Sequence, residues 1–420
     1  MESNKKVAYT DEQVTQDPYD LPLSEIDVAN PYLFGHNKHE NWFKRLRDEA
    51  PVHFCKDSFF GPYWSVTRYE HIMEVDTSHE IYSSEPAITI HDELATFTLP
   101  MFIAMDRPKH DEQRRVVSPV TGAENLRHFE LVIQQRTEEV LDELPIGETF
   151  DWVDKVSIEL TTRMLATLFD FPFDKRRKLT HWSDVGTAIP GMGLIESEEE
   201  RQTELLDCLE QFTVLWNERV NQPPTKDLVS MLAHGEATKN MEPFEYLGNL
   251  MLLIVGGNDT TRNTMTASVL SLHNNPKELA KLKADHGLID SMVSETIRWQ
   301  TPLAHMRRIA KVDTQLGDQL IRAGEKVVMW YVSGNRDERF FDNPNNYIID
   351  RENVRKHLSF GFGIHRCMGN RLAELQLRIL WQEILKRYER IEVMGEPTRT
   401  VSSFVCGYTE MNVRLHPRVK

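Results

Sequence analysis

The chain has 420 residues, with 49 Lys and Arg against 65 Asp and Glu and a formal net charge of −16. That acid excess excludes a nucleic-acid backbone as partner and argues against an anionic membrane surface. At 40% hydrophobic and 27% charged it reads as an ordinary water-facing globular chain, long enough for one large core.

Met1 to Tyr19 is polar and acidic, with no apolar run of signal-peptide or anchor length. Residues 1–30 therefore read as a loosely ordered segment, and the chain as cytoplasmic without a membrane anchor. Asn41 to Ala50 reads as a short helix stopped by Pro51. Val52 to Cys55 and Tyr63 to Thr67 read as a strand pair turning at Phe60-Gly61-Pro62. From Leu126 to about His273 the periodicity is helical, broken at Pro145, Phe171-Pro172, Ala188 to Gly191 and Pro223-Pro224. Strand-like runs return at Met306 to Ala310 and Lys326 to Met329. An amphipathic helix follows Gly369, with Met368, Leu372, Leu375 and Ile379 on one face. No repeat, low-complexity tract or Gly/Ser-rich linker divides the chain. The expectation is one domain over 1–420, mainly α with a minor β region. The cysteines, Cys55, Cys208, Cys367 and Cys406, are widely spread without a CxxC pair, so neither a disulfide framework nor a structural zinc site is expected.

The strongest local signal is Phe360-Gly361-Phe362-Gly363-Ile364-His365-Arg366-Cys367-Met368-Gly369. Three glycines permit positive φ and close approach of backbone to something flat or bulky. The segment feeds a helix, so Cys367 lies where free N–H groups and the positive dipole end favour a thiolate. A second signal lies inside a long apolar stretch, Leu247 to Leu270, which reads Gly256-Gly257-Asn258-Asp259-Thr260-Thr261 at its middle. Glycine costs about 1 kcal/mol relative to alanine inside a helix, and a buried acid adds desolvation. Such a local conflict marks either function or a helix boundary capped by Asp259.

Together these segments resemble the cytochromes P450, through the pattern Phe-x-x-Gly-x-[His/Arg]-x-Cys-x-Gly and the oxygen-activation motif [Ala/Gly]-Gly-x-[Asp/Glu]-Thr. The resemblance runs from near residue 30 to the end. It implies haem b as cofactor, a roughly triangular prism with haem between two long helices, and Cys367 as axial ligand of the iron, donating electron density. It further implies that Phe360 lies against that ligand, with Gly361 and Gly369 in the same loop, and that His365 bonds a haem propionate. Gly256 and Gly257 would leave room for O₂, Thr260 would stabilise the bound oxygen, and Asp259 would gate proton delivery to it.

Further matches support the same resemblance. Glu295-Thr296-Ile297-Arg298 matches Glu-x-x-Arg, and Pro344 to Tyr347 with Arg351 matches the later Pro-x-x-Phe…Arg segment, with tyrosine in place of phenylalanine. Glu295, Arg298 and Arg351 would form a structural ion-pair triad. His110 and Arg114, four apart after Pro108, and Arg308 would complete the propionate donors, with Arg307 the competitor for Arg308. No flavin or ferredoxin module is recognisable, so electrons would come from a ferredoxin and an NAD(P)H-dependent ferredoxin reductase, with Arg366 a candidate contact. A monomer is expected.

Substrate is read more coarsely. Stretches such as Leu99 to Asp106, Thr301 to Arg308 and Met329 to Asp337 resemble the alkane and fatty-acid ω-hydroxylase branch. Leu99, Met101, Phe102, Leu252, Leu253, Val255, Gly256, Leu303, Met306, Phe404 and Val405 are the candidate pocket residues, apolar and adaptable enough for an aliphatic chain. The same residues suit ordinary core packing. Terminal hydroxylation of alkyl chains is therefore expected, with terpenoid or sterol side chains as the alternative substrates and a haem-thiolate sensor as the remoter one.

Overall fold

The computed structural model describes residues 9–92, 96–191 and 193–418. Fourteen α-helices and twelve short strands are found among them. The expected elements fall within two or so residues of their sequence bounds: a helix at His39–Glu49, strands at Val52–Cys55, Tyr63–Val66, Met306–Ala310 and Lys326–Met329, and a helix at Asn370–Arg387.

The 32-residue helix Pro243–Asn274 runs through the core. Proline at its first position and a run of apolar residues on every side make it a buried helix rather than a surface one. It is continuous through Gly256-Gly257, so the capped-boundary alternative does not hold. Helices Glu159–Phe169, Arg177–Thr187, Ile289–Gln300 and Asn370–Arg387 pack around it. Buried polar pairs fix the register of this packing. Asn258 Oδ1 accepts from Thr161 at 3.0 Å and from Thr180 at 3.4 Å, and Ser157 meets Thr266 at 2.8 Å.

A five-stranded sheet takes the order Val52–Cys55, Tyr63–Val66, Lys326–Met329, Met306–Ala310, Tyr82–Ser83. Its only parallel pair is Tyr63–Val66 with Lys326–Met329, brought together across most of the chain.

The expectation of a loose N-terminal segment is corrected for residues 9–30; residues 1–8 lie outside the described ones. Ile26, Val28 and Ala29 are buried and share an apolar cluster with Trp42, Phe43, Tyr63 and Trp330. The Asp27 carboxylate accepts from the Tyr9 hydroxyl at 2.6 Å and from the Tyr63 hydroxyl at 2.8 Å. Sparse, irregularly spaced apolar residues gave no periodic signal, yet Ile26, Val28 and Ala29 pack into this cluster.

Candidate functional site

One large cavity lies between the Pro243–Asn274 and Asn370–Arg387 helices. The first contributes Gly256, Gly257, Thr260 and Thr264 to its wall; the second contributes Leu372, Ala373 and Gln376. Phe360, Gly361, His365, Cys367, Met368 and Gly369 form its floor, joined by Arg114 and Arg308. The floor owes its shape to its glycines. Gly361 and Gly363 both have positive φ, and a β-carbon on Gly363 would stand 2.5 Å from the Asp76 carbonyl oxygen. The Cys367 N–H donates to the Phe360 carbonyl at 2.7 Å, closing the loop just before the helix begins.

Burial pushes the Cys367 thiol above its ordinary pKa; the N–H groups of Gly369 and Asn370 and the guanidinium groups of Arg114 and Arg366 pull the other way. These opposing donors favour the thiolate of a cysteine whose side chain opens onto the cavity. Arg114 donates to the Arg366 carbonyl. Arg308 is ion-paired with Asp76 at 2.9 Å, and Asp76 also accepts from the Phe362 N–H at 2.7 Å and the Tyr331 hydroxyl at 3.0 Å. Asp76 thus ties the cavity arginine to the cysteine loop. Nothing in its sequence surroundings marks it, because the partners are more than 200 residues away. Arg307, the competitor, does not line the cavity; it is buried and paired with Asp92 at 2.6 Å.

His110 does not line the cavity directly. It is buried behind His365, ring centroids 4.2 Å apart. His110 Nε2 and His365 Nδ1 are both buried with no hydrogen-bond partner among the described residues. His365 Nε2 meets the Ser84 hydroxyl at 2.9 Å.

Thr260 faces the cavity and donates to the Gly256 carbonyl at 2.8 Å. Asp259, one step of about 100° round the helix, turns away and is fully buried. It meets Arg262 at 2.9 Å, accepts from Asn258 at 3.1 Å and from Thr187 at 3.4 Å, while Arg262 also grips Asp184. Burial raises the Asp259 pKa to about 6, against the pull of Arg262.

Behind the loop, Glu295, Arg298 and Arg351 come together as expected. Glu295 accepts from Arg298 at 2.7 and 2.8 Å and from Arg351 at 3.1 and 3.2 Å, all buried. The two arginines then donate to the carbonyls of Asn335, Pro344 and Asn346, clamping the chain that leads to Cys367. Tyr347, the departure from phenylalanine, uses its hydroxyl on Thr296 at 2.7 Å.

Of the candidate pocket residues, Leu99, Met101, Phe102, Leu252, Leu253, Val255, Gly256, Leu303, Met306 and Phe404 line the cavity. Val405 does not. It pairs with Leu303 in an isolated bridge and is buried on the other side, since successive residues of an extended segment face opposite ways. Sequence reasoning missed Phe97, Leu205 and Arg201, which reach the wall from segments carrying no motif, and Met251, which lies on the motif helix itself ahead of Gly256.

The family model for cytochrome P450 matches residues 194–406. Linalool 8-monooxygenase of Pseudomonas putida is 33% identical over 416 residues, covering 94% of this chain and 100% of that protein. This chain belongs to the cytochrome P450 family. A solved P450, CYP153D17 from Sphingomonas sp. PAMC 26605, is 48% identical with a TM-score of 0.88, covering 94% of this chain and all of that one. The methyl-branched lipid omega-hydroxylase of Mycobacterium bovis is 28% identical, covering 94% of this chain and 96% of that protein.

The protein is accordingly a P450 monooxygenase, an oxidoreductase, with haem b as its cofactor. The residues present fit that group. Two arginines and a histidine edge the cavity floor where carboxylates need donors, His110 Nε2 and His365 Nδ1 lack partners among the described residues, and Gly256 and Gly369 leave space that a β-carbon would enter without contact within 4 Å. Among the described residues no helix is long and apolar enough to cross a membrane.

Proposed function

We propose that this P450 hydroxylates the terminal carbon of linear alkyl chains, with Cys367 as the axial ligand of the haem iron. The observation that carries the reading is the wall above Cys367. From Gly256 and Val255 through Leu252, Leu303, Met306 and Phe404 to Met101 and Leu99 it is apolar. Terminal C–H bonds are stronger than internal ones, so selectivity has to come from walls that admit only a chain end. Methionines 101, 251 and 306 give that wall thioethers that adapt to a flexible chain.

In this reading Arg114, Arg308 and His365 hold the haem carboxylates, with His110 bracing His365. Haem, when bound, supplies the iron that activates O₂. Thr260 offers a hydroxyl inside the cavity, and Asp259, with its pKa raised to about 6, can take up and release a proton behind it. Electrons come from a ferredoxin and its NAD(P)H-dependent reductase, in the cytoplasm. The lipid omega-hydroxylase relative supports chain-end chemistry. The linalool 8-monooxygenase relative favours a second reading, a terpenoid substrate.

Two measurements test this. The reduced carbon-monoxide complex is expected to show the red-shifted thiolate Soret band, and Cys367→Ser to lose it; an unaltered band in the variant refutes the ligand assignment. Spin-state titration with alkanes, fatty acids and terpenes, followed by product analysis, is expected to favour the linear chains and yield ω-alcohols. Hydroxylation confined to terpenes would establish the second reading instead.

A further inference from the structure

Three arginines line the cavity: Arg114, Arg308 and Arg201. The first two stand on the cysteine floor. Arg201 comes from the first turn of the Glu198–Val220 helix, which packs on the Arg177–Thr187, Leu228–His234 and Pro243–Asn274 helices rather than on the cysteine loop. It is thus a cation in an apolar wall that the haem carboxylates do not explain. Its Nε and Nη2 are held by Glu198 at 2.9–3.0 Å, while its Nη1 makes no hydrogen bond among the described residues. The Arg201 side chain keeps 14% of its surface accessible, and that of Glu198 keeps 27%. Thr89 and His91 line the same wall, with 3.4 Å between the Thr89 hydroxyl and His91 Nε2. Burial, followed by the charges of Arg201 and Arg307, lowers the His91 pKa to about 4, so the ring is a neutral hydrogen-bonding group at pH 7.

Arg201 is only partly buried, so a donor that no protein acceptor reaches stays open to a ligand in the cavity. Glu198 engages only one edge. The remaining donors form half of the planar fork that recognises a carboxylate. We propose that Arg201, with Thr89 and His91 beside it, anchors the carboxylate of a fatty acid whose methyl end reaches the seat above Cys367. The substrate class is then alkyl chains with an anionic end, in preference to bare alkanes. This rests on the alkyl-chain reading above and adds the polar end that the apolar wall lacks.

The test is spin-state titration of the purified holoenzyme with dodecanoic acid and, as the uncharged comparison, dodecan-1-ol. In Arg201→Gln the Kd for dodecanoic acid is expected to rise about tenfold or more, a charge-assisted hydrogen bond being lost, while that for dodecan-1-ol moves less than twofold. Arg201→Lys should recover part of the acid binding. Glu198→Gln should tighten it, because Arg201 loses its competing carboxylate. The double variant Arg201→Gln/Glu198→Gln separates anchoring from simple repulsion by an unpaired Glu198: it should remain weak for the acid. Equal loss for both ligands, unchanged acid binding in Arg201→Gln, or acid binding restored in the double variant would overturn the proposal. Product position is read separately in the wild type. In-chain hydroxylation with acid-selective binding intact counts against the ω reading and leaves the anchor standing.

Discussion

The Arg262 guanidinium lies 2.9 Å from the Asp259 carboxylate and reaches Asp184 of the Arg177–Thr187 helix at the same time. Asp259 is therefore held on the side of the central helix away from the cavity, while its neighbour Thr260 looks into it. The acid and the alcohol of the motif occupy different environments, and their substitutions have different signatures.

Asp259 titrates at about 6 in the fold, raised first by burial, against about 3.9 for an unperturbed aspartate. A raised carboxyl pKa means that the protonated form favours folding. That contribution is whole below about pH 4 and is lost as pH rises through about 6. Asp259→Asn keeps the shape without the charge, so at pH 7.5 it should unfold later than wild type, by about 1–3 kcal/mol. The gap should narrow by about half at pH 5. Product formation should fall at least about tenfold, the scale of a lost proton-transfer group, with the inflection near pH 6 gone. Thermal unfolding at the two pH values and a pH–rate profile check both. A variant less stable than wild type at pH 7.5 would contradict this account.

Thr260→Ala removes a cavity hydroxyl whose one hydrogen bond among the described residues is to the Gly256 carbonyl. Stability should change by less than about 1 kcal/mol, the net value of one hydrogen bond. Electron flow should instead separate from hydroxylation, with hydrogen peroxide released, and Thr260→Ser should restore most of the coupling. The ratio of NAD(P)H consumed to product formed measures this directly.

The paired glycines should answer differently to alanine. A β-carbon at Gly256 meets nothing within 4 Å, whereas at Gly257 it would stand 2.7 Å from Leu165 Cδ2. Gly256→Ala should raise stability by about 0.5–1 kcal/mol through helix propensity and exclude branched ligands from the iron more than linear ones. Gly257→Ala should gain less, because Leu165 has to move. Unfolding curves and spin-state titrations with a linear and a branched acid distinguish them.

Among the described residues Glu295 is the one carboxylate paired with the buried Arg298 and Arg351. Removing one partner of such a cluster costs about 3–5 kcal/mol, because the remaining charges stay buried without compensation. Glu295→Ala should sharply lower the yield of folded, haem-loaded protein and the denaturant midpoint, although the residue never meets the cavity. Normal yield with normal stability would remove the triad from the scaffold.

Most of the floor was legible in the sequence because its chemistry is local. The glycines, His365 and Cys367 lie within nine residues, and a positive-φ loop entering a helix carries its own geometry. The long helix with Gly256, Gly257 and Thr260 was legible for the same reason. Val405 was misplaced because alternation says that neighbours part company but not which of them faces inward. The segment 9–30 was misjudged because its few apolar residues are fixed by Trp42, Tyr63 and Trp330 rather than by their own periodicity.

The sequence by itself determined the family and the cofactor, since each depends on residues close enough along the chain to form a pattern. Tertiary structure alone decided which side of the helix Asp259 takes, that Asp76 ties Arg308 to the cysteine loop, and that Arg201 enters the wall. Apart from the Asp259–Arg262 pair, those relations join residues tens to hundreds of positions apart. No sequence spacing encodes them; they follow from how helices pack when apolar surface leaves water and every buried charge has to find a partner.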